Sequence, residues 1–207
     1  WDGKLEQKVA IKEYLPGEFS TRMPGQSQVT VFNGEKSEQF HDGLKKFVEE
    51  AKHLAKFQNE HGIVKIFDSF EENDTAYIVM EYLDGETLTS YLKREKTIPE
   101  DVAVEMMMPV MESLQVVHDA GLLHRDIAPD NIFLTKNGEV KLIDFGASRY
   151  ATTSHSRSLT VIIKPGYSPE EQYRSRGDQG PYTDVYAVSA TLYKMITGKT
   201  PPDAMER

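Results

Sequence analysis

The chain contains no cysteine, which excludes disulfides and cysteine-ligated metal or cluster sites. No apolar run approaches the roughly 20 residues that a bilayer crossing needs, and no secretory signal opens the sequence. Positive charge is in deficit: 24 Lys and Arg stand against 33 Asp and Glu, a net charge of −9. Such a surface repels polyanions, so nucleic acid is not expected as a partner. Any phosphate chemistry must then rest on local cations. The six histidines form no pair at metal-ligand spacing within a helix, and internal repeats and low-complexity segments are absent. The 207 residues are 39% hydrophobic and 28% charged, which suits a soluble globular chain of one large domain or two small lobes.

Two textures follow one another. Up to about Asp84, short β-rich runs surround one helix: residues 9–12, 28–32, 62–67 and 76–80 read as strands. Leu44 to Phe57 reads as an amphipathic helix with Leu44, Phe47, Ala51 and Leu54 on one stripe. Beyond that point the chain reads as mainly helical. One helix starts at Pro99-Glu100-Asp101 and ends near Gly121, with Pro109 predicting a kink or a lost hydrogen bond. Another spans Val185 to Thr197 and closes on Gly198 and Pro201-Pro202. Met106, Met107, Met108 and Met111, at helical spacing, read as core filling rather than a soft-metal site. Residues 16–39 and 147–165 are the stretches expected to be mobile.

Chemistry concentrates in Leu123-His124-Arg125-Asp126-Ile127-Ala128-Pro129-Asp130-Asn131, followed by Leu142-Ile143-Asp144-Phe145-Gly146. An acid in a short turn, an amide five residues later and a second acid at a strand end suit phosphoryl transfer assisted by a divalent cation. Either segment alone is equally a common polar turn.

In this order the two segments resemble the catalytic loop and metal-binding loop of the protein kinase superfamily, closest to bacterial serine/threonine kinases. The resemblance implies an α+β, two-lobe fold, with an antiparallel β N-lobe carrying one helix (residues 1–83) and a mainly α-helical C-lobe (residues 84–207). It implies ATP and Mg²⁺ as cofactors and a protein as substrate, while the oligomeric state stays open. Asp126 would orient the acceptor hydroxyl and take its proton; Asn131 and Asp144 would hold Mg²⁺. Lys12, ending Val9-Ala10-Ile11-Lys12, would contact the ATP phosphates, held by a glutamate of the following helix. At 100° per residue Glu50 lies within about 60° of the Phe47–Leu54 stripe, whereas Glu49 points almost opposite, so Glu50 is the expected partner. Glu81 and Leu83 would bond adenine through their backbone, Met80 would limit the back of the pocket, and Ala10 and Phe133 would sandwich the ring. Leu54, Ile66, His124 and Phe145 fit the family's hydrophobic spine. Asp184 would anchor the catalytic-loop backbone, and Glu171 takes the place of the family's structural glutamate. A cytoplasmic location is expected, with a membrane tether possible only outside these residues.

Three departures from the pattern matter. The glycine-rich phosphate loop would lie before residue 1, and the last C-lobe helices, with the arginine that pairs Glu171, beyond residue 207. A truncated chain with poor ATP affinity and weak or absent activity is therefore expected. Ala128 replaces a lysine that contacts the transferring phosphate. One reading is a pseudokinase that binds partners; the preferred one is that Lys164 supplies the charge. Arg125 is placed to grip a phosphorylated activation loop, with Thr152, Thr153, Ser154, Ser156, Ser158 and Thr160 as candidate acceptors.

Overall fold

A computed structural model describes residues 1–3, 6–145, 163–174 and 177–206, and the backbone of 149–150. It separates into two units, Trp1–Gln58 with Val64–Leu83 and Asn59–Ile63 with Asp84–Arg207. The assignment of Asn59–Ile63 to the second unit has a local cause. Gly62 N–H donates to Ser113 Oγ at 3.0 Å, and its carbonyl accepts from Leu142 N–H at 2.7 Å. A Cβ on Gly62 would lie 2.2 Å from the Pro109 carbonyl oxygen, so only glycine permits this approach.

In the first unit β1 (Val9–Glu13) begins the chain's regular structure. β2 (Ser20–Arg22) and β3 (Val29–Val31) form a hairpin, followed by α1 (Glu35–Leu54), β4 (Ile66–Glu72) and β5 (Thr75–Glu81). The antiparallel sheet has the order β1-β5-β4, with Lys12 opposite Ile78. Alternation along β1 turns Ile11 outwards, 61% exposed, and puts Lys12 on the other face. Helix α1 buries Phe40, Phe47, Glu50, Ala51 and Leu54. It begins nine residues before the predicted Leu44, because the polar first turns carry little apolar periodicity. The stretch 16–39, expected to be mobile, instead contributes the hairpin and the start of α1. The strand read at 62–67 starts only at Ile66.

The hairpin is tied to β1 by a forked ion pair. Arg22 donates from both terminal nitrogens to the two oxygens of Glu13, one at 2.9 Å, with side chains 28% and 23% exposed. The Arg22 guanidinium, chiefly through its hydrogen bonds, holds the Glu13 carboxyl below its ordinary value against the opposing effect of burial. A carboxyl with depressed folded pKa stabilises above its unfolded value and loses that contribution as pH falls through the folded one. Glu13→Gln is accordingly expected to cost about 1 kcal/mol at neutral pH, with the difference from wild type shrinking as pH falls below the ordinary carboxylate value and through the lowered folded one. Thermal melts of both proteins against pH check this.

In the second unit β6 (Gly85–Thr87), β8 (Ile132–Thr135) and β9 (Val140–Leu142) form an antiparallel sheet, in the order β6-β8-β9. Around it lie α2 (Leu88–Glu95), α3 (Glu100–Asp119), β7 (Leu122–Leu123), β10 (Arg149–Tyr150, paired with β7), α4 (Glu170–Tyr173) and α5 (Pro181–Thr197). Of these short strands the sequence reading implies only β9, whose end precedes Asp144, since two to four residues give too few alternations to register. Helix α3 continues through Pro109. Of its methionines only Met107 is fully buried, and Met108 is 43% exposed, so core filling describes one of the four. Helix α5 ends on Gly198 at φ +72°, the left-handed cap that glycine favours. No helix among the described residues is long and apolar enough to cross a membrane.

Candidate active site

In the first unit, Lys12 Nζ lies 3.6 Å from Glu50 Oε1 and 5.7 Å from the centre of the Phe47 ring. Glu50 is 9% exposed, whereas Glu49, one position along α1, faces solvent. The Lys12 side chain is 33% exposed and that of Glu50 10%, so desolvation opposes the charge mainly on the glutamate. Ala10 pairs across the sheet with Met80, and both are half-buried. Glu81 is held twice by Lys65: its carboxylate accepts the Lys65 N–H at 2.8 Å, and its own N–H donates to the Lys65 carbonyl at 3.0 Å. Leu83 ends this unit. Leu54 and Ile66 are both buried in it.

In the second unit, the loop between β7 and β8 is pinned from several sides. The fully buried Asp184 of α5 accepts the backbone N–H of His124 at 2.8 Å and of Arg125 at 2.7 Å, and lies 2.8 Å from His118 Nε2. Gln172 of α4 donates to the Arg125 carbonyl at 2.7 Å. Arg125 adopts φ +71°, a left-handed conformation that costs a non-glycine residue on the order of 1 kcal/mol or more and persists only where the surroundings over-determine it. The His124 ring packs edge-on against Phe145, centroids 4.3 Å apart, and accepts the Asp126 N–H at 3.2 Å through Nδ1. Burial pushes His124 below its ordinary pKa, against the attraction of Asp184, Asp126 and Asp144, so the ring is a neutral packing element.

The Asn131 amide nitrogen donates to the Asp126 carbonyl at 2.7 Å and to Asp126 Oδ2 at 2.8 Å. That fixes which way the amide faces: its nitrogen is engaged by Asp126, and its oxygen remains as the acceptor or metal ligand. The Asn131 carbonyl accepts the Ile143 N–H at 2.8 Å, which brings Asp144 to the same end of the sheet. Asp144 is exposed and sits at φ +61°, a second non-glycine left-handed residue. One carboxylate and one amide oxygen fit magnesium, which keeps several waters and takes few protein ligands. Among the described residues no cluster of three or more His, Asp or Glu offers a self-sufficient metal cage.

Lys164 Nζ stands 2.9 Å from Asp126 Oδ1 and 2.9 Å from Asp130 Oδ2. Only the second contact has hydrogen-bond geometry, so Asp126 Oδ1 has no hydrogen-bond donor among the described residues. Burial, the largest single influence on Lys164, disfavours its charge. The two carboxylates together outweigh it and hold the ammonium above its ordinary pKa. Its backbone is fixed by a turn: Tyr167 and Ser168 N–H donate to its carbonyl, both at 2.9 Å, and its own N–H donates to Ser168 Oγ at 3.0 Å. Gly166 in that turn has φ +83°, and a Cβ there would lie 2.6 Å from the Pro201 carbonyl oxygen.

Arg125 is 6% exposed and donates through Nε to Gln179 at 2.5 Å. Thr152, Thr153, Ser154, Ser156, Ser158 and Thr160 lie outside the described residues. Phe133 is half-buried on β8. Glu171, whose arginine partner is expected beyond residue 207, accepts the Thr183 hydroxyl at 2.8 Å and is half-buried. The sequence reading missed Asp130, His118, Gln172 and Gln179. Asp130 and Gln172 lay inside segments that resemble the family, whereas His118 and Gln179 carry no local signal.

Comparison with known proteins identifies the family. The family model described as "Protein kinase domain" matches residues 26–207. Serine/threonine-protein kinase PknL of Mycobacterium tuberculosis is 36% identical over 159 residues, covering 76% of this chain and 39% of PknL. Serine/threonine-protein kinase PknA of the same species is 31% identical over 205 residues, covering 97% of this chain and 43% of PknA. The chain thus spans about two fifths of these relatives' lengths. The solved structure of PpkA-294 in its apo form superposes with a TM-score of 0.85 at 33% identity, covering all of this chain and 72% of that one. The chain belongs to the protein kinase domain family, with the two-lobe kinase fold and bacterial serine/threonine kinases among its relatives.

Proposed function

We propose that the chain is the catalytic part of an ATP-dependent protein kinase that phosphorylates serine and threonine hydroxyls. The observation that carries this reading is the Asp126–Asn131 lock. One carboxylate oxygen is held by the Asn131 amide at 2.8 Å and the other lies 2.9 Å from the Lys164 ammonium, so the base is fixed in position with a cation beside it. In the transfer, the acceptor oxygen forms a bond to the γ-phosphorus of ATP. The bond from that phosphorus to the β,γ-bridging oxygen breaks, and its electron pair leaves with ADP. The hydroxyl proton passes to the Asp126 carboxylate. Lys12, steadied by Glu50, holds the α- and β-phosphates, and the backbone of Glu81 and Leu83, with Ala10 and Met80 alongside, holds adenine. The Asn131 amide oxygen and the Asp144 carboxylate would hold Mg²⁺, which when bound with ATP neutralises charge on the phosphates. A reaction that draws on intracellular ATP supports a cytoplasmic location for this part of the protein.

Incubating the intact protein with γ-labelled ATP, then hydrolysing the phosphorylated products, tests the reading. Phosphoserine or phosphothreonine is the expected label. Phosphotyrosine alone, or no transfer at all, would contradict it. Phosphopeptide mapping of the same sample tests whether residues 152–160 act as acceptors that Arg125 then grips.

A further inference from the structure

We infer that Lys164 is a catalytic residue whose ammonium group faces the transferring phosphoryl group beside Asp126. The inference rests on the kinase reading above. From Asp126 to Asn131 the loop contains no cation, and it carries two acids besides. Nor can residue 128 be a long side chain in this structure. Ala128 is fully buried and packs with Tyr167 and Ala190, with Tyr186 against the same cluster. The space a lysine stem would need from that position is filled by an aromatic ring.

The positive charge arrives from another segment. Lys164 lies 38 positions after Asp126 in sequence, yet its nitrogen is 2.9 Å from that carboxylate. It is a cation placed directly against the Asp126 carboxylate. Its contact with Asp126 is an ion pair without hydrogen-bond alignment, and its aligned hydrogen bond goes to Asp130. The ammonium is therefore held between two acids, with its nitrogen beside the base. Asp130 holds the far side of the same group, and the 164–168 turn fixes its root. A side chain anchored at both ends has little reorganisation left to undergo when charge builds on the phosphoryl oxygens. That preorganisation makes an electrostatic contact effective in catalysis. As the acceptor oxygen bonds to the γ-phosphorus and the bond to the ADP oxygen breaks, the ammonium offsets the charge spread over the three non-bridging oxygens. It donates no proton and forms no covalent bond.

A purely structural role, in which Lys164 only neutralises two neighbouring acids, would alter stability and leave turnover near normal. The absence of cysteine from this chain allows a sharp test in the intact protein. Lys164→Cys is expected to lower kcat on the order of 10²-fold, with the KM for ATP within about threefold of wild type and an unchanged melt. Alkylation with bromoethylamine rebuilds a lysine-like amine on the introduced thiol and is expected to restore about tenfold or more, whereas iodoacetamide is expected to restore nothing; wild type treated in parallel controls for thiols elsewhere. Turnover of Lys164→Cys within about threefold of wild type overturns the inference, as does equal recovery, or no recovery, with both reagents. Should Lys164→Cys melt early, Lys164→Arg decides instead: it keeps the charge, and turnover no better than that of Lys164→Met would also overturn it. Wild type that transfers no phosphate removes the kinase reading and this inference together. An active wild type with an unimpaired Lys164→Cys removes the inference alone.

Discussion

Asp126→Asn is expected to lower the rate of phosphoryl transfer by about 10²- to 10⁴-fold, the range by which a positioned general base accelerates a reaction. The substitution is close to isosteric. An amide at 126 still offers an oxygen to the Asn131 nitrogen that now bonds Asp126 Oδ2 at 2.8 Å. The backbone contact from Asn131 to the residue 126 carbonyl is untouched. Lys164 keeps its hydrogen bond to Asp130. What disappears is the negative charge that orients the acceptor hydroxyl and takes its proton. Single-turnover transfer from γ-labelled ATP, with a thermal melt on the same sample, separates chemistry from folding. Wild-type turnover in Asp126→Asn would remove Asp126 from the mechanism. A collapsed melt would show that its contribution is to the fold.

Asp184→Ala is expected to be the most damaging substitution for stability. The carboxylate is fully buried and serves the backbone N–H groups of His124 and Arg125 together with the His118 ring. Removing it leaves donors buried without partners, at about 1–3 kcal/mol each, and the loss of a buried charged partner falls in the same range or above. A total of about 3–5 kcal/mol lowers the melting temperature by roughly 10 °C in a domain of this size. The amides of His124 and Arg125 should also lose hydrogen-exchange protection before the rest of β7. A melt within a degree or two of wild type, with those amides still protected, would mean that Asp184 does not hold the loop.

The elements that sequence exposes here are those with many repeats of a local pattern or a dense motif. The later turns of α1 were legible because Phe47, Ala51 and Leu54 repeat at helical spacing. Its first turns, Glu35 to Gly43, were not, since only Phe40 there is buried. The choice of Glu50 over Glu49 followed from helical geometry alone, and the ion pair at 3.6 Å is formed by Glu50. Strands β6 and β8 escaped notice because they have three or four residues and gain their pairing from tertiary context. In the site, Asp126, Asn131 and Asp144 stood out as a motif. Their supports, His118, Gln172 and Gln179, are polar residues far away in sequence whose roles exist only once the chain has folded. Asp130 shows the intermediate case: it sits within the motif, but its bond to Lys164 depends on a turn 34 residues away.

Lys12 and Glu50 belong to one unit, and Asp126, Asn131 and Asp144 to the other. The central claim is that both sets serve the same magnesium-bound nucleotide. ATP affinity measured by calorimetry in the intact protein, with and without Mg²⁺, tests it most directly. Lys12→Met is expected to weaken binding by about tenfold or more at any magnesium concentration, whereas Asp144→Asn is expected to abolish the gain in affinity that Mg²⁺ brings. An affinity that neither substitution changes would contradict the account.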